Sequence, residues 1–192
     1  MLTKEQFRQI DYIVPLFDIK AWSGFANQPD GDKVTVVSDN AADTGKCTIL
    51  GTNKTTGAFQ YETVTLKGTT AVDTTLDSFD DVMGIFLGDI YGKNTKAAVG
   101  TITVKEKTGG ATITTITAAK MGTGLQAFYG LQGRDVCVVG VSGNLYLYDG
   151  VATTANGYPV ANAEKFNFSP KGAYFTLISD SSAATAKIIV WK

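Results

Sequence analysis

Apolar and polar positions alternate with a period of two along most of the chain. In ETVTL, Val64 and Leu66 fall on one side and Thr63 and Thr65 on the other; in GTITV, Ile102 and Val104 oppose Thr101 and Thr103. A strand patterned this way buries one face and wets the other, as antiparallel sheets do. Runs of the same kind, KVTVVS, KCTILG, FQYETVTL, MGIFLGDI, GTITVKE and ATITTIT, follow one another from Lys33, separated by Gly, Asn and Asp turns. No stretch between them has the length of a crossover helix. The pattern therefore predicts an all-β fold of antiparallel β-sandwich or jelly-roll-like units. TTLDSFDDV interrupts it and reads as a single helical turn capped by Asp77 or Ser78.

Beyond Lys120 the alternation resumes in a second set of strands. MGTGLQAFYGLQG reads as an extended crossing segment. RDVCVVGVSG follows, then NLYLYDG, where Leu145 and Leu147 alternate with Tyr146 and Tyr148, and finally KFNFSPKGAYFTLISD and AKIIVWK. These strands carry enough apolar residues for a core of their own. The beginning of the chain is different. Thr3 and Gln6 have capping-box spacing, and Phe7, Ile10 and Val14 have helical spacing, so a short helix is expected there. Pro15, Gly24, Pro29 and Asp30-Gly31 then break regular structure, while Leu16, Phe17, Ile19, Trp22 and Phe25 stay apolar. The expected organisation is an N-terminal arm over 1–32, a β-sandwich over 33–118, and a second β unit over 119–192 packed on the first. Large apolar side chains on an irregular arm either pack on their own domain or dock on a partner. Leu16, Phe17, Trp22 and Phe25 are the candidates for docking, and the Tyr146/Tyr148 face is the second candidate surface.

Composition narrows the function. Hydrophobic residues make up 44% and charged ones only 18%, which leaves a surface rich in Thr, Ser, Asn and Gly. With 17 basic and 18 acidic residues the net charge is -1, no field for gathering nucleic acid or an anionic membrane. The opening MLTKEQFRQIDY lacks the apolar centre of a secretory signal, and no segment reaches the roughly 18 apolar residues of a membrane helix. A soluble protein is expected. Cys47 and Cys137 lie in apolar strand-like runs and are expected to be buried free thiols.

The chain contains no histidine, which removes the commonest general base and metal ligand together. Two cysteines do not suffice for a structural zinc site. Gly45-Lys46 in DTGKCT ends like a phosphate loop, but Asn40 stands where the first glycine belongs and Cys47 where Ser or Thr belongs. Asp73, Asp77, Asp80 and Asp81 crowd one stretch without the spacing of a calcium loop. Tyr146, Tyr148, Tyr158 and Trp191 are candidates for an aromatic platform that would hold a glycan. Asn53 and Asn167 occupy N-x-Ser/Thr sequons, which matter only in a secreted chain. The reading is a non-enzyme, with no catalytic residue, metal or cofactor.

The succession VTVVSDNAADTGKCTILGTNKTTGAFQYETVTLKGTTAVDTTLDSFDDVMGIFL, closed at Gly100 by GTITV, resembles a domain of virion structural proteins of tailed bacteriophages. TGLQAFYGLQGRDVCVVGVS resembles the segment that follows in such proteins, so the likeness spans roughly residues 34–141. Lys67 replaces a usual Asn, DSFDDV is more acidic than usual, and nothing before Lys33 has a counterpart. The resemblance implies a capsid decoration or cement protein, with a neck, tail or baseplate component as the alternative. It further implies assembly in the host bacterial cytoplasm, a major capsid protein or other virion proteins as partners, and a homo-oligomer. A carbohydrate-binding module acting through Tyr146 and Tyr148 is the competing class.

Overall fold

The structure, a computed structural model, describes residues 10–19, 25–91, 94–150, 156–161, 163–179 and 184–191. Along the chain run β1 (Ile10–Ile19), β2 (Val34–Ser38), β3 (Lys46–Asn53), β4 (Phe59–Thr65), β5 (Val72–Asp73), β6 (Phe79–Leu87), β7 (Ile102–Glu106) and β8 (Thr112–Ile116). There follow β9 (Gly122–Gly124), β10 (Gln126–Tyr129), β11 (Val136–Ser142), β12 (Leu145–Tyr148), β13 (Tyr158–Val160), β14 (Lys165–Phe168), β15 (Tyr174–Ser179) and β16 (Ala184–Trp191). The described residues contain no helix, and every ladder is antiparallel. The all-β expectation is met.

The strands form four sheets in the orders β5-β2-β7-β8, β4-β3-β6-β9, β10-β15-β12-β13 and β1-β16-β11-β14. The first two enclose a core in which Val34, Val36, Ile102 and Val104 meet Cys47, Ile49, Phe79, Val82, Ile85 and Leu87. The last two enclose a second core, with Val136, Val138, Ile188 and Val190 against Leu145, Leu147, Phe128, Phe175 and Leu177. One sheet belongs to both. Leu50, Met83 and Phe86 leave the other face of β3 and β6 and join the second core. The ladder makes this possible at Met83: Leu50 pairs with Gly84 and Gly51 with Val82, so Met83 is an extra residue that resets the alternation. Gly84 has room for no side chain at all, since a Cβ there would lie 1.8 Å from the carbonyl oxygen of Leu125. β9 pairs with β6, and the chain then passes into β10 and the second unit.

Two expectations are corrected. Residues 10–14 continue no helix: Ile10–Ile19 is a strand on the edge of the last sheet, paired with β16 from Ile10↔Trp191 to Ile19↔Ala184. β-branched and aromatic residues over these positions favour the extended state once an open strand edge is available. Pro15 is tolerated because an edge strand forms a ladder on one side only, and the register shifts between Val14 and Phe17 to absorb it. Residues 10–19 thus pair with a strand of the second unit; residues 1–9, with the capping box, lie outside the described residues. TTLDSFDDV likewise forms no helical turn. The Glu62 carboxylate accepts the amides of Thr75 (2.7 Å) and Leu76 (2.8 Å), which holds the stretch open.

Candidate functional site

The outer face of β2, β7 and β8 carries the threonines that the alternation placed outside. Val37 pairs with Thr103 and Thr103 with Thr115, while Thr35 pairs with Lys105 and Asp73, and Lys105 with Thr112. Two of the charges here meet: Asp73 receives the Thr35 hydroxyl at 2.6 Å and the Lys107 ammonium at 2.7 Å. These two partners, Lys107 first, hold the Asp73 carboxyl below the usual carboxylate range. Apart from Lys105, what remains is a face of methyl and hydroxyl groups on the ladder.

Of the predicted docking residues, Phe25 packs half-buried against the first core, so its ring is occupied by its own domain. Leu16 and Phe17 lie on β1 with side chains outside the described set, and Trp22 lies outside it altogether. Tyr146 and Tyr148 do share a face of β12, with Tyr148 41% exposed. Tyr158 is not with them. It pairs with Leu147, which points into the core, and stacks on Phe166 across the sandwich with ring centroids 4.4 Å apart. The proposed platform does not assemble from these residues, and the side chain of Trp191 lies outside the described set.

A different aromatic group forms instead, where the two units meet. Tyr129 stacks on Tyr174 (4.7 Å), Tyr174 on Phe59 (5.2 Å), and Tyr61 tilts against Tyr129 (4.7 Å). Phe59 and Tyr61 come from β4 of the shared sheet, Tyr129 and Tyr174 from paired positions of β10 and β15. Burial, then the neighbouring Tyr174 and Tyr61, pushes the Tyr129 hydroxyl up; burial alone does so for Tyr174. With ring faces turned on one another, the group joins the two units. The alternation of Phe59 and Tyr61 in FQYETVTL was the available signal, but their partners lie more than sixty residues away.

The acidic residues are likewise engaged. Lys54 bridges Asp30 (2.5 Å) and Asp80 (3.0 Å), and among the described residues no group of three or more His, Cys, Asp or Glu is placed to hold a metal. Asp81 is raised, first by burial and then by Asp80. Among the described residues Asp43 is the buried carboxylate: it accepts the Ser38 hydroxyl at 2.6 Å and the amides of Val99 (2.8 Å) and Gly100 (2.9 Å). Burial alone would raise its pKa, but these three donors, helped by Lys96, outweigh it and hold the carboxyl below its ordinary value. Beside it a cavity of about 20 Å³ is lined by Asp43, Lys46, Asn94 and Lys96, room for about one water and no substrate. Cys47 and Cys137 are both buried free thiols, and burial pushes Cys47 up to about 12. Neither is a poised nucleophile.

No protein-family model matches the chain, and no curated protein matches it.

Proposed function

We propose that the chain is a structural component of a tailed-phage virion, a decoration or cement protein that binds the assembled head shell. The observation that carries the reading is the charge-poor Thr/Val face of β2, β7 and β8 on a body braced by a sheet buried on both sides. Short β-branched hydroxyl side chains lose little entropy on immobilisation and offer a methyl and a hydrogen bond together, which suits flat, repeated contact with a shell. The phrases that resemble virion proteins fall on β2, β3, β4, β6, β7 and the crossing through β9 and β10, so the likeness follows strands and not turns alone. The work is done by mass action. A clip that binds only the assembled state stabilises it by about 2.7 kcal/mol per copy at one hundred times Kd, repeated over every copy.

The test is to add purified chain to particles lacking it and to image them by electron cryo-microscopy while following the temperature at which the shell releases its contents. The expected result is regularly spaced density on the head and a higher release temperature. Density confined to neck, tail or baseplate keeps the virion role but overturns the head assignment; no binding to any particle overturns both.

A further inference from the structure

β1 docks in one unit and is tethered in the other. It pairs with β16, near the opposite end of the sequence, and lies close to β9 of the shared sheet. From Phe25 onward the chain is fastened to the first sandwich. The Ala26 amide donates to the Ile113 carbonyl (3.2 Å), the Asn27 side chain to the Thr112 carbonyl (2.9 Å), and the Gly31 amide to the Phe79 carbonyl (2.7 Å). The Gln28 amide group brackets Val82, accepting from its N–H at 2.8 Å and donating to its carbonyl at 3.2 Å. Only five residues, Lys20 to Gly24, separate Ile19 from Phe25. An edge strand on a short tether, with a ladder on one side, is an element that identical chains can trade without losing a contact.

We propose that β1 exchanges between copies, the β1 of one chain pairing with the β16 of a second in the same register to give a reciprocal, strand-exchanged oligomer. The second copy is the occupant because the register is itself the recognition. β16 presents a ladder that accommodates shifts between Ile10 and Tyr12 and around Pro15, which an unrelated strand would not match. The tether sets the geometry. Extended residues span at most about 3.3–3.6 Å each, so the acceptor β16 must begin within about 20 Å of the donor's Phe25. It also sets the balance. A short tether gives the closed form an effective concentration in the millimolar range, so exchange belongs to copies held side by side and closure to dilute chains. The proposal does not rest on the virion reading and is testable on the purified protein.

The directly opposed pair Ile13 and Ile189 provides the probe. A chain carrying Ile13→Cys is co-expressed with a differently tagged chain carrying Ile189→Cys, oxidised, and run without reductant beside the unsubstituted chain and the I13C/I189C double variant. The expected result is a covalent heterodimer linked at those two positions, absent from the unsubstituted chain. It should rise severalfold when ten Gly/Ser residues lengthen the tether after Gly24, because the longer tether lowers the effective concentration of the closed form. Monomers only in the mixture, while the double variant closes its disulfide within one chain, would overturn the proposal. So would a heterodimer yield indifferent to tether length, or no link in either sample although both fold by circular dichroism.

Discussion

β2 and β6 flank the same core, yet they are built by opposite rules. In β2, Val34 and Val36 are buried and Thr35 and Val37 partly wetted, because one face meets the core and the other meets water. In β6 every residue from Val82 to Leu87 is buried, because Ile85 and Leu87 serve the first core and Met83 and Phe86 the second. Alternation marks a strand with one partner layer; an unbroken apolar run of strand length marks one with two. The energetic consequence is that damage to β6 strikes both cores while damage to the outer face of β2, β7 and β8 strikes neither.

Gly84 offers the strongest way to break this contrast. In Gly84→Ala the new Cβ would press on the backbone of Leu125, which no rotamer change relieves, so β6 must part from the segment entering β10. A loss of at least about 3 kcal/mol, at the upper end for overpacking, or failure to fold cooperatively, is expected by urea denaturation. Phe86→Ala, which empties a fully buried ring site in the second core, should cost about 3–5 kcal/mol in the same assay.

Asp43→Asn is intermediate. An amide has one acceptor oxygen where Ser38, Val99 and Gly100 present three donors, so about 1–3 kcal/mol should be lost. The pH dependence sharpens the test. The Asp43 pKa is depressed on folding, so its contribution is complete above the ordinary carboxylate value of about 3.9 and vanishes as pH falls through the lower folded value. Acid melts of Asp43→Asn should lose part of the fall seen in the parent below about pH 4. Smallest of all, Thr115→Ala on the exposed outer face should leave stability within about 0.5 kcal/mol while weakening the proposed attachment to the shell, read by sedimentation with particles.

Much of this was legible in the sequence. The strands from Lys33 onward, the inward Val64, Leu66, Ile102 and Val104, and the outward threonines follow from period-two alternation. VMGIFL was also legible as a strand, although its lack of alternation carried the further message that both of its faces are covered. β1 was not legible: the helical spacing of Ile10 and Val14 and the presence of Pro15 argue locally against a strand, and only the open edge of β16 overrides them. The Tyr158 assignment failed for a similar reason. Its proximity in sequence to Tyr146 and Tyr148 says nothing of face, which is decided by its pairing with Leu147. The junction of Phe59, Tyr61, Tyr129 and Tyr174 required knowing that β10 and β15 pack beside β4, information held in long-range topology.

The central claim is that one sheet serves two cores and makes the molecule a single cooperative body. The direct measurement is scanning calorimetry of the full chain and of Phe86→Ala, paired with hydrogen exchange resolved by peptide. The account predicts one transition in each, with calorimetric and van't Hoff enthalpies equal, and amides of β3, β6, β11 and β16 exchanging together at the global unfolding free energy. Two separable transitions, with Phe86→Ala lowering only the one that reports β10 to β16, would contradict it.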